Sequence, residues 1–344
     1  MDQATQSLEE KLSSGCASCG HTIIEPGYPT PLCKDCRTKF IRFPIPLPIK
    51  IFAGAVALAL LVSMYRLPGN FSVAVHYKRG TAAVKNRNYL TAQKELGEVI
   101  KRLPGYDDAK EYQAIAAYYN QDLSTFVTLV NQLQGKEVKN ESLYGRINNL
   151  VDRLDGYVPA DSLMNLCERY HSFDSIPDSS YRRYIANHNS EQFAAARYAT
   201  FLLDHKQYHQ CDSILDALLH NDPEYFHALS IKTGLKRELH EFDSAHYYCD
   251  RILQINHESA YGIASKARTY FKEKKDAEGM KWALKDMDLR KDDAYSLATL
   301  ALAYHLTNNT VERDKLVDAA KKDSTQTESM QYITDIISGK EKFR

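Results

Sequence analysis

Small and aliphatic residues return every 34 positions through the second half of the chain. Cys211, Ala245 and Gly279 form one register, Ala199, Thr233, Ala267 and Ala301 a second, and Ala195, Leu229, Ile263 and Leu297 a third. A fixed period of that length means one supersecondary unit stacked on copies of itself, because no single unit can bury its apolar face alone. The unit is helical. Of the 11 prolines, seven fall between Pro26 and Pro68, leaving Pro104, Pro159, Pro177 and Pro223 for the rest. Apolar residues in that proline-poor remainder recur with helical spacing between short polar breaks.

The pattern resembles the tetratricopeptide repeat, two antiparallel helices packed through small residues. Residues 192–225 carry it well. Ala199 stands at the family's glycine position, Cys211 at its small-residue position, Leu215 and Leu218 on the core face, and Pro223 ends the second helix. Phe242-Asp-Ser-Ala245 with Ile252 repeats the second half, as does Tyr89-Leu-Thr-Ala92 with Leu96, Val99 and Pro104, and Gly80 falls at the glycine position of that earlier unit. The resemblance implies an α-solenoid over 71–344, with clear repeats at 73–106 and 192–320, a fair match over 73–134 and a divergent stretch at 135–190. Lys236 replaces a usual aromatic and Arg313 a usual small residue, so the last unit is expected to be a cap. Such arrays bind proteins or peptides along their stacked first helices. The family's groove positions fall on His227 and Arg237, on Tyr261, Arg268 and Phe271, and on Tyr295 and His305.

Ahead of the repeats, Ile51 to Tyr65 is fifteen residues without a charge, bounded by Lys50 and Arg66. As a helix it covers about 22 Å, and the apolar flank from Phe43 extends it toward the ~30 Å of a bilayer core, with Tyr65 suited to the interface. Residues 43–67 therefore read as one uncleaved transmembrane helix, the other readings being a buried core helix or a signal peptide. Near the span, Arg37, Lys39, Arg42 and Lys50 on one side face Arg66, Lys78 and Arg79 on the other. Four basic groups against three put the N-terminal side in the cytoplasm and the solenoid outside it.

Residues 1–42 contain Cys16-Ala-Ser-Cys19 and, after thirteen intervening residues, Cys33-Lys-Asp-Cys36. Two such pairs supply the four thiolates of a closed tetrahedral Zn²⁺ site, which is structural because no position is left for substrate. Gly20 frees the backbone after the first pair, and Ile23, Ile24 and Pro26-Gly27 fit a small β-hairpin; residues 16–36 resemble a zinc ribbon. Two disulfides, a redox pair or bound iron are the other uses of these cysteines. A four-thiolate site also suits a reducing compartment, in agreement with the topology above.

Formal charge cancels, 44 basic against 44 acidic groups, which gives no general pull toward nucleic acid. No nucleotide loop, G-x-G-x-x-G, H-E-x-x-H or nucleophile elbow occurs, so neither an enzyme nor a small-molecule substrate is indicated. His205, His209 and Cys211 are a possible transition-metal set, and Cys167, Cys211 and Cys249 are either buried thiols or, outside the cytosol, partners in a bridge. The expected protein is a single-span membrane scaffold binding a protein or peptide on its solenoid. A competing reading makes the ribbon the working end, with Lys34, Arg37, Lys39 and Arg42 meeting nucleic acid or a ribosomal or transcription partner.

Overall fold

A computed structural model describes residues 15–41, 46–137, 140–291, 293–322 and 324–344. The chain divides into two compact units, 1–71 and 72–344.

In the first unit, residues 15–33 make two turns and run into helix α1 (Lys34–Ile41). The amide of Ala17 donates to Pro31 and that of Glu25 to Leu32, each at 2.9 Å. These two bonds are all that forms of the expected hairpin, and no strand is present among the described residues. The module is held instead by side chains. The Arg37 guanidinium lies 3.7 Å from the Tyr28 ring centroid, pairs with Glu25 at 2.9 Å and donates to the Thr30 carbonyl. Gly20 sits at φ +73°, where a side chain would be strained, and so closes the first cysteine turn. Helix α2 (Leu47–Lys85) follows. Its segment Leu47–Met64 has a mean hydropathy of 2.1, and none of it is buried. Phe52, Leu58, Leu61 and Met64 are each 64–70% exposed, which removes the reading as a core helix. The side chains of Tyr65 and Arg66, and residue Arg42, lie outside the described residues.

The second unit is helical throughout. The end of α2 pairs with α3 (Tyr89–Arg102), where Gly80 meets Leu96 and His76 bonds Glu95, and α4 (Asp107–Tyr119) pairs with α5 (Leu123–Leu133). Then α6 (Glu141–Asp152), α7 (Asp161–Tyr170) and α8 (Asp178–Asn187) follow, separated by single 3₁₀ turns at Leu154–Gly156 and Phe173–Ser175. Regular pairs resume with α9 (Gln192–Asp204) and α10 (Tyr208–Asn221), α11 (Phe226–Glu238) and α12 (Phe242–Ile255). They continue with α13 (Ala260–Lys272) and α14 (Asp276–Leu289), then α15 (Ala294–Leu306) and α16 (Thr310–Ala320), and close on α17 (Ser324–Ile337).

The period is written into the backbone. In each pair the turn holds one residue in the left-handed region, Arg87, Gln121, Lys206, His240, Lys274 and Asn308, at φ 57–64°. The next amide bonds the carbonyl five residues back, as in Asn88 to Ala83 and Lys275 to Tyr270, both 2.9 Å. This arrangement satisfies the last carbonyls of the first helix. Within each pair small residues let the helices close: a Cβ on Gly80 would collide with Leu96, and one on Gly279 with the Phe271 ring. The registers that define the repeat are buried, with Ala199, Cys211, Thr233, Ala245, Ala267 and Ala301 all at 0% exposure. Between Gln121 and Lys206 the spacing is 85 residues, two and a half periods, and there α6 to α8 replace regular pairs.

Successive first helices pack on one another, α9 on α11, α11 on α13 and α13 on α15. The array also folds back on its own start. The Arg87 guanidinium donates to the Gln254 carbonyl at 2.6 Å, and the His257 amide to the Arg87 carbonyl at 3.0 Å. Thr91 donates from its amide and its hydroxyl to the Glu258 carboxylate, at 2.8 and 2.6 Å. Asn256 donates to Tyr119 and Asn120. The first repeat thus rests on the turn between α12 and α13, 167 positions later.

Candidate metal centre and binding groove

The sulfurs of Cys16, Cys19, Cys33 and Cys36 all lie within 4.8 Å of one another, and Cys19 and Cys33 are 3.6 Å apart. Zinc bound to four sulfurs at about 2.3 Å would space them by about 3.8 Å, so the four thiols converge as a tetrahedral site requires. Cys16 and Cys33 are the only buried residues among the described residues of the module, at 3% and 8% exposure. Backbone amides serve the sulfurs: that of Cys36 donates to Cys33 Sγ at 3.5 Å. Bonds from the amides of Cys33, Ser18 and Cys19 outweigh burial and bring the Cys16 thiol down to about 6. For Cys19 the His21 amide acts downward, but the neighbouring thiols dominate and push it up to about 12. Four sulfurs this close cannot all ionise without a cation among them. The donor set fits a closed structural metal site.

Other candidate ligands are placed apart. His205 bonds the Phe201 carbonyl at 2.8 Å and stacks on that ring, whereas the Cys211 thiol is buried against the Ala199 carbonyl. Cys167, Cys211 and Cys249 are free thiols, and burial pushes the last two up to about 12. Of the basic residues near the metal module, Arg37 is committed to Glu25, Tyr28 and Thr30.

Along the first helices, four of the expected groove residues come together. Tyr261 and Tyr295 stack with centroids 5.3 Å apart and planes at 15°. The Arg268 guanidinium lies 3.9 Å from the Tyr295 ring centroid, and its Nε donates to Thr299 Oγ1 at 2.8 Å. Arg237 lies within electrostatic reach of both tyrosines, and one of its terminal nitrogens is buried with no hydrogen-bond partner. Burial and the neighbouring Arg237 lower the pKa of Arg268. Tyr261, Tyr295, Arg290, Asp293 and Asn256 also line a cavity of about 190 Å³, walled on its far side by Tyr119 and Asn120 of the first repeats.

The remaining three stand elsewhere. His227 packs between Tyr157 and Tyr225, and burial, helped by Arg197, brings it down to about 4, so it is neutral at physiological pH. His305 shares its Nδ1 with Arg313 at 3.3 Å. Phe271 departs from the expectation: its side chain is fully buried, seated over Gly279, and cannot touch a partner. The departures from the family pattern find partners as well. Lys236 bonds Asp212 and Glu241, and the adjacent buried Lys232 bonds Asp212 and Asp216 at 2.6 Å.

Helix pairs of 34-residue period, small residues at their contacts and a capping last helix define a tetratricopeptide-like α-solenoid, here preceded by an apolar helix and a four-cysteine cluster. No family model and no curated protein matches the chain. Two solved structures overlay loosely. One, from Pseudomonas aeruginosa pilF, has a TM-score of 0.33 at 12% identity and covers 77% of this chain and 97% of its own. The other, the TPR domain of P58(IPK), has a TM-score of 0.24 at 13% identity and covers 85% and 96%.

Proposed function

We propose that this protein is a single-pass membrane scaffold whose solenoid binds a protein or peptide partner, with a structural Zn²⁺ site in the module on the opposite side of the membrane. The observation that carries the binding role is the Arg237, Tyr261, Arg268 and Tyr295 cluster on successive first helices. Arginine and tyrosine anchor partner segments by combining contact area with directed donors, and here Arg237, Tyr261 and Tyr295 are half-buried along the stacked first helices around the buried Arg268. The eighteen-residue exposed apolar stretch of α2 supports the anchor, since that much unburied aliphatic surface is unfavourable in water. The basic residues flanking it, four on the N-terminal side against three, support an arrangement with the module in the cytoplasm and the solenoid outside. Binding by the cysteine module to nucleic acid is the weaker reading, because Arg37 already serves internal bonds.

The test places a photocrosslinking residue at Tyr295 in the full-length protein in its own membranes, with Tyr247 on the outer face of α12 as the control. Adducts at 295 and none at 247, reduced at least tenfold by Arg268→Ala in a chain with unchanged helical signal, are expected. Equal adducts at both positions would remove the groove.

A further inference from the structure

One position of the repeat breaks the core rule. In the second helix of each regular pair, the register that holds Leu218 and Ile252 continues to Asp286, and Val99 is its counterpart in the first repeat. Leu218, Ile252 and Val99 are 5%, 1% and 0% exposed, as core aliphatics should be. Asp286 is 0% exposed as well, and neither of its carboxyl oxygens has a hydrogen-bond partner. A carboxyl buried without partners costs stability, and an aliphatic residue would avoid that cost.

Its surroundings are specific. Helix α14 packs between α13 and α15. The charged groups facing Asp286 are Arg268 from α13, Arg290 one turn further along its own helix, and Asp293 at the start of α15. Ser296 is also near, but its hydroxyl is given to Asp293 Oδ1 at 2.8 Å. Arg290 Nε is itself buried without a partner. Arg268 is the residue stacked on Tyr295, and among the described residues its one hydrogen bond is to the neutral Thr299 hydroxyl. Among the described residues, a buried carboxyl therefore has two guanidiniums as its nearest cations, and neither of them forms an ion pair.

We propose that Asp286 is a proton-operated switch on the groove: protonated, it lies inert in the core and leaves Arg268 stacked on Tyr295, whereas ionised, it draws a guanidinium toward itself and reshapes the Arg268–Tyr295 face. This rests on the reading of that face as the binding surface. Burial raises the carboxyl to about 7; Asp293 adds to the rise, while Ser296, Arg290 and Arg268 only partly oppose it. The change of charge therefore falls where modest acidification acts. The folded state holds this proton more tightly than the unfolded chain does. Stability contributed here is thus full below the unfolded value, declines as pH rises through the interval up to about 7, and is flat above it.

Trp282, the single tryptophan, lies one turn before Asp286 on α14, with Lys266 of α13 over its ring, and serves as the reporter for this packing. Its fluorescence is followed from pH 5 to 9 in the full-length protein in detergent. A transition centred near 7 is expected, absent in Asp286→Asn, and shifted upward by about half a unit or more in Arg268→Gln, because a stabilising cation has been removed. An Asp286→Asn chain that titrates like the parent overturns the switch, and an unmoved midpoint in Arg268→Gln overturns its link to the groove. If Asp286→Asn fails to fold, Asp286→Leu, which restores the aliphatic of the sister repeats, takes its place, with a flat profile expected and a retained transition fatal. Equal crosslinking at positions 295 and 247 would instead remove the groove while leaving the Trp282 titration in place.

Discussion

Residues 15–40 bury two cysteines and nothing else, while Ile23, Tyr28 and Phe40 stand 57–73% exposed around them. Residues 72–344 bury side chains from every helix pair, in a core shared across repeats. The first region has no apolar interior to lose, so its order resides in four sulfurs and the metal they can hold. In the second, the same kind of contact recurs every 34 residues, and order is spread across many buried positions. Cysteine plays opposite parts in the two: in the module it gathers into one cluster, and in the array Cys211 and Cys249 act as small apolar residues.

The largest effect should come from the module. Cys33→Ser removes one of the two buried sulfurs of the cluster, and a structural zinc site supplies about 10–16 kcal/mol of folding free energy. Metal analysis should fall from one zinc per chain to none while the helical signal and melting of the array stay unchanged. A loss of both together would mean that the two regions are not independent. Next comes the array core. Phe271→Ala empties the space over Gly279 and should cost about 3–5 kcal/mol in thermal unfolding, with zinc content unaffected. A small cost would show that this ring faces outward after all. The mildest change addresses the closure of the array. Glu258→Ala removes both bonds to Thr91 and should cost about 1 kcal/mol, seen chiefly as faster amide exchange at residues 87–91. Unchanged exchange there would mean that the first repeat is held by its aromatic contacts alone.

The helix pairs were legible wherever small residues kept their spacing, because close backbone approach tolerates few residue types. Ala199, Cys211, Ala245 and Ala267 announce themselves in that way. The turns between paired helices were less visible, since Arg87, Gln121, Lys206, His240 and Lys274 hold left-handed conformations where glycine or asparagine would have been the signal. In the divergent stretch the single turns at Leu154–Gly156 and Phe173–Ser175 break the period, and no residue pattern marks them. Phe271 shows the limit of carrying a repeat position over. It occupies a groove register, but the missing side chain at Gly279 opens a hole that the ring fills. The four-cysteine cluster was readable in full because both pairs are local, each spanning a single turn.

By itself, the sequence determined the 34-residue period, the four-cysteine set and the apolar stretch of α2, all of which follow from local geometry: helix phase, turn spacing and length. Tertiary structure alone decided that the array curls until Arg87, Thr91 and Asn120 meet residues 254–258, and that Asp286 is sealed between α13 and α15 beside Arg268. Those contacts depend on a small rotation accumulated over successive helix pairs. A pairing 167 residues apart leaves no periodic trace in the chain that makes it.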